Sequence, residues 1–172
     1  MNNPLPEDVA KKLSDAYDLM LMRTRETMDK AEKGLGEALE MAMQKASDLG
    51  ELTREEADLI SIYVMRDLED AAKFVDKSGQ ELRDWLQFDI NVVENTLLDI
   101  FSNMVDHTRE ALDGLKQRAD AIGEWHTGEV TGIGTLQCKS CGEVMHFEKT
   151  GHIPPCPKCH GTKYRRVASW DD

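Results

Sequence analysis

The chain has 172 residues and a mass of 19.4 kDa, enough for one ordinary domain or for a set of helices with a small added module. Its size excludes a large two-domain enzyme. Charged residues make up 31% of the chain and aromatic residues only 6%, which favours solvent-exposed helices over a thick α/β core. The net charge of −12 means that the bulk surface repels phosphate backbones.

Hydropathy and the N-terminal residues bear on the cellular location of the protein. No apolar run approaches the length of a bilayer span, so we predict no membrane segment. Residues 1–8 have neither the positive charge nor the following apolar stretch of a secretory signal. We therefore expect a cytoplasmic protein.

Composition divides the chain near residue 123. Residues 1–123 carry 27 acidic and 15 basic side chains, whereas residues 124–172 carry six of each. All four cysteines and four of the five histidines lie in the second part, and residues 7–153 contain no proline. The sequence therefore predicts an acidic long-helix region over 1–123 and a different module over 124–172.

An apolar stripe with steps of three and four residues begins at Tyr17 and ends at Leu49. This spacing predicts a first helix over about residues 7–48. Gly34 and Gly36 each cost roughly 1 kcal/mol relative to alanine inside a helix, so we expect a bend there. Gly50 is a suitable C-terminal stop.

The second helix begins with the clearest local signal in this region. Thr53 and Glu56 have the spacing of a capping box, which predicts a helix over about 54–77. Ser78 and Glu81 repeat that spacing and predict a third helix over about 79–122. Helices of 42 to 44 residues extend roughly 65 Å.

Short connections force neighbouring helices to run antiparallel, and their apolar stripes must be covered. We therefore expect a mainly α protein, in which an elongated antiparallel helical hairpin or coiled-coil bundle precedes a small C-terminal β module. A second copy of the chain covers such stripes equally well, so a homodimer is compatible with the sequence.

The strongest chemical signal is a pair of Cys-x-x-Cys motifs separated by 14 residues. Cys138, Cys141, Cys156 and Cys159 supply two thiolates from each of two tight turns, which is the ligand set of one structural, tetrahedral Zn²⁺ ion. Strand-like segments lie between and beside the pairs, at 131–137, 143–148 and 163–168. The pattern predicts a zinc ribbon over 124–172 that depends on its metal for folding.

Other uses of these cysteines explain less of the pattern. Two disulfides conflict with a reducing cytoplasm. The Cys-Pro-Lys-Cys-His run that ends at His160 also matches c-type haem attachment, but this interpretation leaves the first pair without a role. A thioredoxin-like motif requires a βαβ context that the segment does not offer.

The remaining polar residues form no recognisable catalytic pattern. Four histidines near the cysteines suit surface roles or support of the metal site, because four thiolates already complete a tetrahedron; they are His126, His146, His152 and His160. The glycines at 128, 132 and 134 do not have the spacing of a phosphate-binding loop. They favour a tight sheet corner or an edge that binds a partner. We therefore expect a protein without enzymatic activity.

Several motifs resemble a bacterial zinc-ribbon-containing protein family of uncharacterised function, the YbeL-like proteins. The segments that carry the resemblance are Gly50-Glu51-Leu52-Thr53, Arg66-Asp67-Leu68-Glu69, residues 125–136, Cys156-Pro157-Lys158-Cys159 and Arg165-Arg166. The resemblance covers about residues 48–168. It implies zinc at the four cysteines and implies no reaction.

Three functions remain open at this point. The first is an interaction or regulatory protein that docks on transcription or translation machinery, such as RNA polymerase or the ribosome. An acidic helical arm joined to a four-cysteine module is similar in layout to the DksA-like regulators of RNA polymerase, although their Asp-x-x-Asp-Ala tip has no match at residues 49–52. The second is a zinc-thiolate redox or metal-responsive switch. The third is nucleic-acid binding through the basic ribbon residues Lys163, Arg165 and Arg166.

Overall fold

The computed structural model describes residues 6–31, 33–119 and 124–167. The helices are α1 (Glu7–Ala31), α2 (Leu35–Asp48), α3 (Arg54–Ser78), α4 (Leu82–Leu86) and α5 (Asn95–Ala119). The strands are β1 (Trp125–His126), β2 (Val130–Thr131), β3 (Gly134–Cys138), β4 (Val144–Phe147), β5 (Gly151–His152) and β6 (Lys163–Arg166). A mainly helical chain with a small C-terminal antiparallel sheet is confirmed.

The prediction of one continuous helix over 7–48 is wrong. The chain breaks between α1 and α2, where Gly34 adopts an extended conformation and precedes the first residue of α2. The expected bend at the two glycines is thus a complete interruption at Gly34, and it lets α2 fold back against α1. Gly50 has a φ of +69° just beyond α2, so its predicted role as a stop is confirmed.

Helix α3 follows the prediction closely. The Thr53 hydroxyl accepts a hydrogen bond from the backbone N–H of Glu56, and the Glu56 carboxylate accepts one from the Thr53 N–H. This capping box satisfies two N–H groups that otherwise lack helical partners. At the other end, Gly79 closes the helix with a φ of +70°.

The prediction of one helix over 79–122 is also wrong. Ser78 ends α3, and the capping box of α4 is formed by Glu81 and Asp84. The chain then leaves α4 through Gln87 and makes a 3₁₀ turn at Ile90–Val92 before α5 begins. The predicted end near Gly123 lies outside the described residues.

Burial explains why this segment is not one long helix. The Trp85 ring is completely buried and stacks on Phe101 of α5 at a centroid distance of 5.7 Å. Short α4 and the turn after it place this ring beneath the sheet, against residues that come later in the chain. In one straight helix over 79–122, Trp85 and Phe101 would lie 16 residues apart along a single axis, and their rings could not stack.

Helix α3 lies at the centre of the helical region and contacts α1, α2, α4 and α5. The principal core side chains are Tyr17, Leu21, Leu39, Ile60, Val64, Leu68, Phe101 and Met104. The longest described helices have 25 residues, or about 37 Å, so they are far shorter than the predicted 65 Å. None of the helices in the described ranges combines the length and apolar character needed to cross a bilayer.

The C-terminal module contains two small sheets. One has the strand order β1-β6-β3-β4, with antiparallel pairing throughout, and the other pairs β2 with β5. Strands β2 and β5 contact α1, and β2 also contacts α3. The ribbon therefore packs along the side of the helices and shares part of their core, because Val130 and Ile133 belong to the helical apolar cluster.

Candidate metal centre and its anchor on the helices

Two turns bring the four predicted ligands together. Cys138 ends β3 and Cys141 follows in the next turn, while Cys156 and Cys159 lie in the turn between β5 and β6. The four sulfur atoms lie within 4.8 Å of one another. The pairing of β3 with β6 fixes this arrangement, since Cys138 and Tyr164 are directly opposite each other in the sheet.

The distances between sulfurs suit one tetrahedral metal ion. The Sγ atoms of Cys138 and Cys159 are 3.5 Å apart, and those of Cys141 and Cys156 are 3.6 Å apart. Zinc–sulfur bonds of about 2.3 Å place tetrahedral sulfurs about 3.8 Å apart. A disulfide requires about 2.05 Å, and all four cysteines are free. The donor set therefore fits one structural zinc ion and not two disulfides.

Backbone groups of the second turn also face the sulfurs. The N–H of Lys158 donates to Cys156 Sγ at 3.4 Å, and the N–H of Gly161 donates to Cys159 Sγ at 3.3 Å. Such donors stabilise thiolates, the form that binds zinc. Gly161 has a further reason to be glycine, because an added Cβ would lie 3.1 Å from Cys159 Sγ and 3.2 Å from Cys138 Sγ.

Among the described residues, no histidine belongs to the four-sulfur cluster. His126 faces two carboxylates, with its Nε2 3.3 Å from Glu124 and its Nδ1 3.5 Å from Glu129. Nδ1 of His146 lies 2.9 Å from the Thr135 hydroxyl. These histidines therefore contact ribbon side chains and leave the four thiolates as the described candidate ligands.

The basic side chains of the ribbon are distributed differently from the prediction. Lys139 pairs with Glu124 at 2.5 Å, and Arg165 donates from Nε to Gln137 at 2.9 Å. The prediction that Arg166 is available to phosphates is wrong, because this residue is only 1% exposed. It points into the helices, where it meets buried carboxylates.

Comparison with known proteins agrees with this geometry. The model of a family described as zinc-ribbon containing domain matches residues 22–168. The chain belongs to this family. It is 28% identical to the uncharacterised protein YbeL of Escherichia coli K12 over 159 residues, which cover 90% of this chain and 96% of that protein. YbeL proteins of E. coli strains O6:H1 and O157:H7 match equally well. No solved structure matches significantly.

Two segments that the resemblance singled out meet at a buried carboxylate. Asp67 lies in the middle of α3, is 0% exposed and accepts hydrogen bonds from six donors. Oδ1 accepts from Arg66 Nε, Trp125 Nε1 and Arg166 Nη2 at 2.9 to 3.1 Å. Oδ2 accepts from the Tyr17 hydroxyl, the Thr131 hydroxyl and the Gly132 N–H at 2.7 to 3.3 Å. We call these seven residues the Asp67 anchor.

The two arginines of the Asp67 anchor are themselves well enclosed. Arg66 also donates to Glu129 at 2.7 Å and to the Val130 carbonyl at 2.9 Å. The Arg166 guanidinium lies over the rings of Trp85 and Trp125, at 4.8 and 4.7 Å from their centroids. Cation–π contacts of desolvated arginines contribute about 2 kcal/mol each. The charges are therefore matched by carboxylates and aromatic faces.

Burial and charge act in opposite directions on these acids. Burial alone raises the pKa of Asp67, but the positive charges of Arg66 and Arg166 outweigh it and hold that pKa below its usual value. Burial raises the pKa of neighbouring Asp70 to about 6, although Arg166 opposes the shift. Asp70 accepts a hydrogen bond from Trp85 Nε1 at 2.8 Å. Near neutral pH, Asp67 is therefore the firmly ionised member of the pair.

Two of the predicted corner glycines make room for the Asp67 anchor. A Cβ at Gly132 would lie 2.6 Å from the Tyr17 hydroxyl, and one at Gly134 would clash with Arg166 Nη1. Gly134 also has a φ of +141°, which L-residues rarely adopt. The glycines thus let β2 and β3 approach buried side chains of the same chain, and their spacing gave no indication of those neighbours.

We predict that Cys156→Ser abolishes stoichiometric zinc binding, because the tetrahedral thiolate site loses one buried ligand. Elemental analysis of reduced wild-type protein should give about one zinc ion per chain. Ser140→Ala is the matched control, since Ser140 lies within the first Cys-x-x-Cys motif and is exposed. Wild-type zinc content in Cys156→Ser would contradict the proposed ligand set.

We predict that Asp67→Asn lowers the free energy of unfolding of the zinc-loaded protein by about 3–5 kcal/mol. The amide keeps the shape of the side chain but leaves two buried arginines without their shared negative charge. Urea unfolding followed by tryptophan fluorescence measures the loss. Asp58→Asn, at an exposed position of the same helix, should change stability by at most about 0.5 kcal/mol. Equal stabilities of the two variants would contradict the role of Asp67.

Proposed function

We propose that the protein is a non-enzymatic interaction protein that docks on a macromolecular assembly, with transcription or translation machinery as the target class. One observation supports this proposal above the others. The four sulfurs that suit zinc complete a tetrahedron and leave no coordination position for a substrate. A metal in such a site shapes the surface around it and carries no reaction.

The attachment of the ribbon also supports a docking role. Because the Asp67 anchor joins β1, β2 and β6 to α1 and α3, the ribbon and helices present one continuous surface. Preorganised surfaces bind with a smaller loss of conformational entropy. In a protein whose helices project as a free arm, the partner contacts the tip of that arm. Here the ribbon is fixed along the helices, so we expect the partner to contact their sides.

The surface of the helical region suits a protein partner with positive charge. The acidic excess of the chain belongs to residues 1–123. Large apolar side chains are exposed among these acids, including Met41 of α2 and Leu59 and Ile62 of α3. Apolar patches bordered by charge are typical of protein interaction sites.

A pull-down from a bacterial lysate tests the proposal. We expect tagged, zinc-loaded protein to enrich RNA polymerase or ribosomal components over a tag-only control, and Asp67→Asn to lose the enrichment because its ribbon is no longer fixed. Ser140→Ala should behave as wild type. Mass spectrometry of the eluates identifies the partners. Eluates from wild-type protein that contain neither assembly would count against the proposal.

A zinc-thiolate switch is the second candidate, and the exposure of Cys141 and Cys159 favours it. Because these two residues are exposed, we expect a peroxide to reach the site without prior unfolding. One thiolate attacks the peroxide and becomes a sulfenic acid while hydroxide leaves; a second thiolate then displaces hydroxide from that sulfur and forms a disulfide. The two cysteines are oxidised and the peroxide is reduced, so a zinc ion held by the four thiolates would lose two ligands.

Zinc release under stoichiometric hydrogen peroxide tests this second function. A zinc-sensitive dye should report release of about one ion per chain, and a reductant with added zinc should reverse it. Because the attack of a thiolate on peroxide is bimolecular and needs no prior unfolding, the rate should rise in proportion to peroxide concentration. Retention of zinc after a full equivalent of peroxide would remove the switch from consideration.

A further inference from the structure

A groove runs between α2 and α3. Its cavity volume is about 470 Å³. The residues that matter here are Leu39, Glu40 and Met43 from α2, and Asp58, Ile62 and Met65 from α3. Gly36, Glu40 and Met43 of α2, like the three α3 residues, recur at steps of three and four, so each helix contributes one continuous wall.

The groove is elongated along the two helices. A smaller cavity of about 140 Å³ shares Glu40, Met43 and Asp58 with it and continues to Ser47 and Arg54. From Gly36 to Ser47 the α2 wall extends about 17 Å, which is three turns of a helix. A channel of this shape between two helices suits a third helix, whose side chains pack into the space between their ridges.

The floor of the groove is apolar and adaptable. Ile62 is 37% exposed and lines the groove, and Met43 and Met65 are half-buried beside it. Methionine side chains are flexible and polarisable, which suits a surface that accepts another apolar face. This floor therefore offers contacts to aliphatic side chains of an incoming segment.

The charges along the groove select the kind of segment. Glu40 and Asp58 are exposed on opposite walls. Of the two lining cations, Arg66 is buried and its charge is already matched by Asp67 and Glu129, whereas Arg54 is exposed and lines only the smaller cavity at one end of the groove. The groove therefore presents negative charge along both margins, and lysine or arginine on both edges of a bound helix would complement it.

We infer that the α2–α3 groove binds an amphipathic helix of a partner protein, with aliphatic residues on its inner face and lysine or arginine along its edges. The inference rests on the proposed docking function and names the chemistry of the partner. The inner face packs on Ile62, Met43 and Met65, while its cations meet Glu40 and Asp58. The four candidate zinc ligands do not line this groove.

Gly36 offers a sharp test. Gly36 lines the groove, and a Cβ added there would have no atom within 4 Å outside its chain neighbours and its own helix backbone, so a leucine can be placed on this wall without a clash at Cβ. Gly36→Leu also replaces glycine by a residue of higher helix propensity in the first turn of α2. The variant should therefore block the groove while leaving thermal stability equal to or above that of wild type.

The probe is a synthetic, fluorescein-labelled 18-residue helix with leucine on one face and lysine on its edges, measured by fluorescence anisotropy with the zinc-loaded full chain. We expect Gly36→Leu to weaken its binding at least tenfold. The double variant Glu40→Lys/Asp58→Lys should weaken binding as much. The control is Glu26→Lys/Glu110→Lys, which makes the same change in net charge at exposed positions outside the groove. This control should weaken binding less than threefold. A peptide with glutamate in place of lysine should not bind.

Other results overturn the inference. Equal binding to wild type and Gly36→Leu, equal losses in the two lysine pairs, or no binding of the lysine peptide would each do so. If wild type is a dimer in solution and Gly36→Leu is a monomer, the occupant is a second copy of the chain. If Gly36→Leu still retains the assembly enriched by wild type in a pull-down, the docking function stands and the groove is the wrong site.

Discussion

A carboxylate that is withdrawn completely from water holds the helices and the ribbon in one arrangement. An ionised aspartate in a protein interior is tolerated only when charges and hydrogen bonds replace its hydration. Asp67 meets this requirement with six donors, and they come from α1, α3, β1, β2, β6 and the residue after β2. Neither the helices alone nor the ribbon alone supplies the whole set, so the two parts need each other.

The metal site and the Asp67 anchor are linked through short stretches of chain. β6 begins four residues after Cys159 and carries Arg166 into the helices. β3 ends at Cys138 and pairs with β6 through Leu136 and Arg166. A module of about 45 residues has little core of its own. Zinc therefore stabilises the two Cys-x-x-Cys turns, and the helices stabilise the opposite end of the sheet. The ribbon is thereby stabilised at both ends.

This arrangement changes the interpretation of charge in the chain. Arg166 contributes to the apparent basicity of the ribbon and Arg66 reduces the acidic excess of the helical region, but both lie in the interior against carboxylates and tryptophan rings. The acids that remain in water, such as Glu40 and Asp58, determine the field that a partner meets. Net charge counted along the sequence thus describes the surface poorly wherever ion pairs are buried.

The sequence by itself determined the parts that depend on neighbours in the chain. The Cys-x-x-Cys spacing located the four sulfurs, and the capping box at Thr53 located the start of α3, because both signals act over a few residues. Only the tertiary structure decided that Gly34 and the segment from Gly79 to Glu94 interrupt helices, and that Arg166 is buried against Asp67. These features depend on contacts between residues as many as 99 positions apart, and the free energy of burying Trp85 and pairing Asp67 overrides a local helical pattern.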